Sequence, residues 1–384
     1  MTVSGIVLAA AAALAFYILA GYPIFLAAVR GRRSPPIRKD LNFRPSVSVL
    51  LAVHNGAGFI RRKLECLLAL HYPAELVQIL VVSDGSTDET EQVAESFAPR
   101  GVRLLKVPRG GKARALNAAL PCATGDILFF TDVRQDLDPE ALSHLAANFA
   151  DPTVGAVTGE LRIVDPDRSG EQADMGLYWR YELWARRRHS EIDSIFSTTG
   201  CIYALRRELA EPLPPGALTD DAIFALRAFF RGYRVIFDPQ ALAFDYPTAA
   251  GGEFQRKLRT LAGLWQVHVS FPRLFTSANR MRVHFLSYKF GRLVLPWALL
   301  TMCAATLTLP NRGIRGVLLA AELLVLGLAL CDGVVPKRFP LKRLSSPIRT
   351  FLAMNLAALL SAVVFVVPPE RLWKTTQVEP KARS

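Results

Sequence analysis

The run Gln78-Ile79-Leu80-Val81-Val82-Ser83-Asp84-Gly85-Ser86-Thr87-Asp88 passes from a short apolar segment into a carboxylate and a Gly/Ser turn. A helical stretch, Thr87–Phe97, opens directly after it. Toward the N-terminus lie a second apolar run, Val47–Val53, and a helical stretch, Arg61–Leu70. Toward the C-terminus, Ile127–Phe130 reads as another strand and ends in Thr131-Asp132. Short apolar strands alternating with helices imply an α/β domain over residues 41–246, with a mostly parallel sheet and crossover helices. Ligands in such sheets collect beyond the carboxyl ends of the strands, so the residues that follow each strand are the first place to look for chemistry.

The flanks have a different texture. The chain has 384 residues, is 51% hydrophobic and carries a net charge of +13. Basic charge combined with that apolarity suits a membrane protein whose Lys and Arg stay in cytoplasmic loops. No zinc-finger spacing, recognition helix or aromatic RNA-binding strand is present, so no nucleic-acid partner is expected. The five cysteines, Cys66, Cys122, Cys201, Cys303 and Cys331, are scattered without a CxxC pair. That pattern reads as small core residues in a reducing compartment rather than a disulfide framework.

Residues 1–29 carry no charged side chain, which is long enough for an uncleaved transmembrane helix. Arg30, Arg32, Arg33, Arg38 and Lys39 follow it and place the α/β domain in the cytoplasm. Residues 247–290 mix Arg and Lys with large apolar residues and read as interfacial amphipathic helices. Residues 291–368 hold three apolar segments, Leu293–Pro310, Gly316–Cys331 and Phe351–Pro368, read as transmembrane helices. Lys337, Arg338, Lys342, Arg343 and Arg349 favour a cytoplasmic loop between the last two. The tail, 369–384, contains Arg371, Trp373 and Lys374. Tyr178, Trp179, Tyr181 and Trp184 suit an interfacial helix or an acceptor-sugar platform, and Glu322 lies inside an apolar span, where an ionisable group must face protein or water.

Four polar signals carry candidate chemistry, two of them, Asp84 and Asp132, at strand ends. Asp84 can accept hydrogen bonds from a nucleotide base or ribose, and Ser83–Asp88 equally suits a helix N-cap. Arg109-Gly110-Gly111-Lys112 has a Gly pair before a Lys that can help hold a nucleotide sugar. It is not a Walker loop, because Lys106 and Ala113 stand where Gly and Ser/Thr would be needed. No GxGxxG follows the first strand either. Asp132 is either a ligand for Mg²⁺ or Mn²⁺, supported by a diphosphate, or an acidic turn residue. Asp220-Asp221 is a like-charged pair, one member of which can be raised into the range of a general base; it also suits a helix cap.

The order of these signals resembles a known family. Pro45-Ser46-Val47-Ser48-Val49-Leu50-Leu51-Ala52-Val53-His54-Asn55 resembles the opening strand of family 2 glycosyltransferases. Ser83-Asp84-Gly85-Ser86, Gly111-Lys112, Thr131-Asp132, Gly200-Cys201-Ile202-Tyr203-Ala204 with Arg206-Arg207, and Thr219-Asp220-Asp221 follow in that family's order. The likeness extends over Val47 to Thr260, and the flanking helices resemble the membrane-embedded, polysaccharide-synthase-like branch that includes cellulose, chitin and hyaluronan synthases.

The resemblance implies a GT-A-like domain performing inverting transfer from a nucleotide sugar, with a UDP-sugar as the expected donor, to an acceptor hydroxyl in cell-surface polysaccharide synthesis. It assigns Asp84, Lys112, Asp132 and Arg259 to the donor, Asp132 to a Mg²⁺ or Mn²⁺ ion, Gly200 and Arg256 to the acceptor side, and Asp221 with Asp220 to catalysis. The implied partners are a glycan or lipid acceptor and the lipid bilayer, with accessory export subunits as a further partner such a synthase can have. Arg134 replaces the second acid of the DxD motif, Asp220 replaces a Glu, and Arg256-Lys257-Leu258-Arg259-Thr260 lacks the Gln and Trp of the processive signature. The first departure bears on the metal and the last on processivity. Two other readings stay open: transfer of a single sugar to a lipid such as a polyprenyl phosphate, and a catalytically inactive membrane scaffold or transporter component.

Overall fold

The computed structural model describes residues 2–29, 34–164, 177–246, 250–336 and 339–367. Arg30, Arg32, Arg33, Lys337, Arg338 and the tail residues Arg371, Trp373 and Lys374 lie outside the described residues. The chain divides into two compact units, one built mainly from residues 32–175 and 182–249, the other from residues 1–31, 176–181 and 250–367.

In chain order the helices are α1 (Val3–Phe16), α2 (Tyr22–Ala28), α3 (Ala57–Leu68), α4 (Thr90–Glu95), α5 (Lys112–Ala119), α6 (Ala141–Ala147), α7 (Leu177–Ile192), α8 (Asp220–Phe230), α9 (Ala250–Ser270), α10 (Arg282–Phe285), α11 (Gly291–Leu307), α12 (Arg312–Cys331) and α13 (Lys342–Leu360). The strands are β1 (Val47–Val53), β2 (Val77–Asp84), β3 (Val102–Val107), β4 (Ile127–Thr131), β5 (Asp136–Leu137), β6 (Val154–Ile163), β7 (Tyr203–Arg206) and β8 (Arg234–Asp245).

Among the described residues the strands form one sheet in the order β3-β2-β1-β4-β7-β6-β8-β5. Its first half is parallel, with β1 between β2 and β4. Parallel central strands are covered on both faces and so read as unbroken apolar runs. Val49, Leu50, Leu51, Leu80, Val81, Val82, Leu128, Phe129 and Phe130 are each at most 1% exposed. Removing one such side chain, as in Leu50→Ala, costs about 2–5 kcal/mol through lost burial and the cavity left behind. The second half is mixed: β7 runs antiparallel to β4 and β6, β6 is parallel to β8, and β8 is antiparallel to β5.

Helix α3 buries Ile60, Lys63, Leu64 and Leu67, a 3–4 residue spacing that gives one face to the sheet. A lysine in that stripe is unusual. The Lys63 ammonium donates to the Thr131 hydroxyl and the Gln135 carbonyl, both at 2.7 Å, so its polar end is satisfied beneath the end of β4.

The other unit is helical. Among the described residues four helices are long and apolar enough to cross a membrane: Val3–Ala28, Arg282–Leu307, Arg312–Cys331 and Lys342–Phe365. The second begins at Arg282, before the expected boundary at 291, because His284, Lys289 and Arg292 dilute its apolar signal. Two of these spans carry matching π-helical turns, Tyr17–Gly21 and Leu286–Phe290, joined by a Tyr17–Ser287 hydrogen bond of 2.7 Å. Leu261 on α9 packs with Leu293, Ala357 and Ala358. Glu322, a carboxylate in an apolar helix, accepts a 2.9 Å hydrogen bond from the Thr306 hydroxyl of α11. Cys201 is buried as a core residue would be, whereas Cys303 and Cys331 are exposed on the apolar helices.

Candidate active site

The site grows from three strand or helix ends in the α/β unit. Asp84 closes β2 and is 2% exposed. Its carboxylate accepts from the backbone N–H of Gly110 (2.7 Å) and of Gly111 (2.9 and 3.1 Å to its two oxygens), and pairs with the Arg109 side chain. The strand-end aspartate therefore organises the 109–111 loop that precedes α5. The two loops touch so closely that a Cβ on Gly85, whose φ is +62°, would lie 2.7 Å from the Arg109 nitrogen. Gly111, at φ +87°, makes the turn into α5, for which a left-handed residue without a side chain is best suited.

Lys112 is the first residue of α5. Its ammonium lies 2.9 Å from Asp132, just past the end of β4, and 3.2 Å from Asp220, the first residue of α8. Burial disfavours the charged amine, but Asp132 and Asp220 outweigh that cost and hold its pKa above the ordinary lysine value. Gly200 belongs to the same place, since a Cβ there would sit 3.8 Å from the Lys112 nitrogen. The loop around Gly200 is pinned by the Thr199 N–H to the Thr158 hydroxyl (2.8 Å) and by Arg186 to the Thr199 hydroxyl (2.6 Å).

Asp220 is buried and Asp221, beside it, keeps partial exposure. The Tyr203 hydroxyl donates to Asp220 at 2.8 Å, and the Thr198 hydroxyl donates to the Asp221 carbonyl at 3.1 Å. Burial first, and then the neighbouring Asp220 charge, push the Asp221 carboxyl up to about 7, against a smaller opposing pull from Lys112. A carboxylate half-ionised near neutrality, at the open end of a sheet, can take a proton from a hydroxyl.

Asp84, Lys112, Asp132, Gly200, Asp220 and Asp221 are thus all in the α/β unit, and Lys112 joins Asp132 and Asp220 directly, with Gly200 close by. Arg256 and Arg259 belong to the helical unit, on α9. Residues at 260 and 256 are linked there by the Thr260 hydroxyl donating to the Arg256 carbonyl at 2.9 Å.

Arg134, at the second DxD position, is ion-paired with Asp245, the buried last residue of β8, which also accepts from the Gln135 amide at 2.8 Å. Among the described residues no group of three or more His, Cys, Asp or Glu is placed to hold a metal ion. Asp132 is 40% exposed at its side chain and offers one carboxylate. That donor set fits a hard divalent ion held by one protein carboxylate, with substrate phosphates and water completing the shell, and does not fit an all-protein cage.

The sequence reading gave no role at the site to Tyr203, Arg186, Asp245 or the amides of Gly110 and Gly111. The glycine pair was visible as a turn. Its use as a cradle for Asp84 required the β2–β3 neighbour relation.

Residues 48–213 match the model of glycosyl transferase family 2. The chain is 26% identical over 271 residues to "Probable glycosyltransferase YdaM" of Bacillus subtilis (strain 168), covering 67% of this chain and 64% of that protein. It is 25% identical over 274 residues to the poly-beta-1,6-N-acetyl-D-glucosamine synthase of Staphylococcus aureus (strain MSSA476), covering 65% of each. The match thus spans just under two thirds of the length of these relatives. In fold, the chain is similar to the mannosyltransferase PcManGT from Pyrobaculum calidifontis, solved with GDP-Man and Mn²⁺, at a TM-score of 0.74 and 24% identity, over 94% of this chain and 98% of that one. The sheet is GT-A-like, and the glycosyl transferase family 2 match falls on the part of the chain that builds it.

Proposed function

We propose that this chain is a membrane-bound inverting glycosyltransferase that moves a sugar from a nucleotide-sugar donor to an acceptor hydroxyl in cell-surface polysaccharide synthesis. The observation that carries this reading is the Lys112 bridge, 2.9 Å to Asp132 and 3.2 Å to Asp220, which sets a donor-side carboxylate beside the candidate base pair. UDP-sugars are the first donors to test and GDP-mannose the second.

In this reading the donor lies across the strand ends with its base toward Asp84 and displaces Arg109 from that carboxylate. Lys112 turns toward the diphosphate, supported by Arg259. Asp132 would hold a Mg²⁺ or Mn²⁺ ion, which supplies charge neutralisation for the departing nucleoside diphosphate. Asp221 removes the acceptor proton, and attack from the face opposite the leaving group inverts the anomeric centre without a covalent enzyme intermediate. Gly200 leaves room for the acceptor, and Arg256 contacts it. The four apolar helices anchor the chain as a multi-pass protein of the cell membrane, with the α/β unit on the cytoplasmic side where activated sugars are found, and with residues 247–290 at the interface.

Thr260 supports a second reading, transfer of one sugar to a lipid, because it offers no aromatic face on which a growing glycan could stack. Membranes containing the protein are incubated with a panel of UDP-GlcNAc, UDP-glucose and GDP-mannose, reading nucleoside diphosphate release and product size. A polymer supports synthase action, a one-sugar lipid supports the second reading, and no release from any donor contradicts both.

A further inference from the structure

Tyr203 is fully buried, and the reaction outlined above gives it no task. It stands in β7 directly opposite Phe130 of β4, and the two rings stack with centroids 4.5 Å apart and planes 5° from parallel. Phe130 in turn packs on Phe224 of α8 at 5.2 Å. Phe130 thereby links the phenol to β4, whose end precedes Asp132, and to the helix that begins at Asp220. Its hydroxyl reaches one oxygen of Asp220 at 2.8 Å, while Lys112 takes the other at 3.2 Å. Both oxygens of Asp220 are engaged by donors.

We propose that Tyr203 is a positioning residue that fixes the Asp220 carboxylate beside Asp221 and so makes Asp221 the member of the pair that takes the acceptor's proton. Two adjacent carboxylates ordinarily share a proton, and which one carries it depends on their separate hydrogen bonds. A donor on each oxygen of Asp220 holds the negative charge there. That charge then acts on Asp221, together with Lys112 from α5 and Arg186 from α7, while Asp132 beyond β4 faces the Tyr203 phenol. Burial, and then the Asp220 charge, keep the phenol itself protonated well above the ordinary tyrosine range, so it remains a donor throughout the working pH range. A phenylalanine would keep the ring stack and lose only this hydrogen bond.

The inference rests on Asp221 being the base of the reaction proposed above. The test compares the purified wild type with Tyr203→Phe, Asp220→Asn and the double variant, using whichever of UDP-GlcNAc, UDP-glucose or GDP-mannose the wild type turns over. Tyr203→Phe is expected to lower kcat about tenfold, the effect of losing one hydrogen bond to a charged group, with donor KM within about twofold. With that hydrogen bond gone, the negative charge is held less firmly beside Asp221, and the acid limb of the kcat profile moves down by about half a pH unit or more. Asp220→Asn should do the same, and in that background Tyr203→Phe should add less than about twofold, because the two act through one contact. An acid limb that stays in place in a folded Tyr203→Phe enzyme, or losses that multiply in the double variant, would overturn the positioning role while leaving the transferase reading intact. Absence of turnover by the wild type with every donor would overturn both.

Discussion

The guanidinium of Arg134 is ion-paired with the buried carboxylate of Asp245 at the end of β8. The residue that breaks the DxD pattern is therefore a structural tie between the β4–β5 connection and the far half of the sheet. Arg134→Asp would set a second carboxylate beside Asp245 and strand a buried charge, a loss on the order of 3 kcal/mol. Thermal unfolding should show a marked drop for Arg134→Asp, and a smaller one when Asp245→Asn is added to it. Equal stability of Arg134→Asp and wild type would contradict the tie.

Gly85→Ala tests the close approach of the Asp84 and Arg109 loops. The added Cβ meets backbone at 2.7 Å and the residue must keep a φ of +62°, so the loops have to separate. A loss of about 1–3 kcal/mol in stability is expected, with a rise in donor KM because the 109–111 loop loses its hold on Asp84. Glycine-to-alanine at Gly101 supplies the control: it shares a positive φ of +86° and meets nothing within 4 Å, so it should cost stability without touching donor KM.

Lys112→Met should raise donor KM by about tenfold or more, since it removes a cation that touches both Asp132 and Asp220. Lys112→Arg is not expected to rescue it. A planar guanidinium does not replace a compact ammonium set 2.9 and 3.2 Å from two carboxylates on different elements. Steady-state kinetics on the three proteins checks this, and full activity of Lys112→Arg would argue against a point-charge role.

Asp221 links the site to stability as well as to rate. Its carboxyl sits near 7 against an ordinary 3.8, so the folded state holds the proton more tightly than the unfolded state. Its contribution to stability is fully present below about pH 4 and is lost as pH rises through 7. Asp221→Asn should therefore gain melting temperature over wild type at pH 8 and gain little at pH 4. Catalysis runs the opposite way: the rate should rise through an acid limb near pH 7 as the base ionises.

The parts of the site that the sequence displayed are those made by local chemistry. Asp84, Asp132 and Asp220-Asp221 each follow an apolar run or open a helix, and Gly85 and Gly111 mark turns at positive φ. The links between them were hidden. Lys112 meets Asp220 across 108 positions, Tyr203 meets Asp220 only because β7 runs antiparallel beside β4, and Arg134 finds Asp245 through β8. Such pairings depend on strand order, which periodicity does not encode. The same holds for Lys63, which spacing puts on the buried face of α3 but whose partners, the Thr131 hydroxyl and the Gln135 carbonyl, only the fold brings to it.

The central claim is that Asp221 removes the acceptor proton, and one measurement bears on it most directly: kcat and nucleoside diphosphate affinity for Asp221→Asn beside the wild type. Asparagine keeps the shape and loses the basicity, so kcat should fall by roughly 10²–10⁴-fold while nucleoside diphosphate binding stays within about threefold. A folded Asp221→Asn protein that transfers sugar at the wild-type rate would contradict the account.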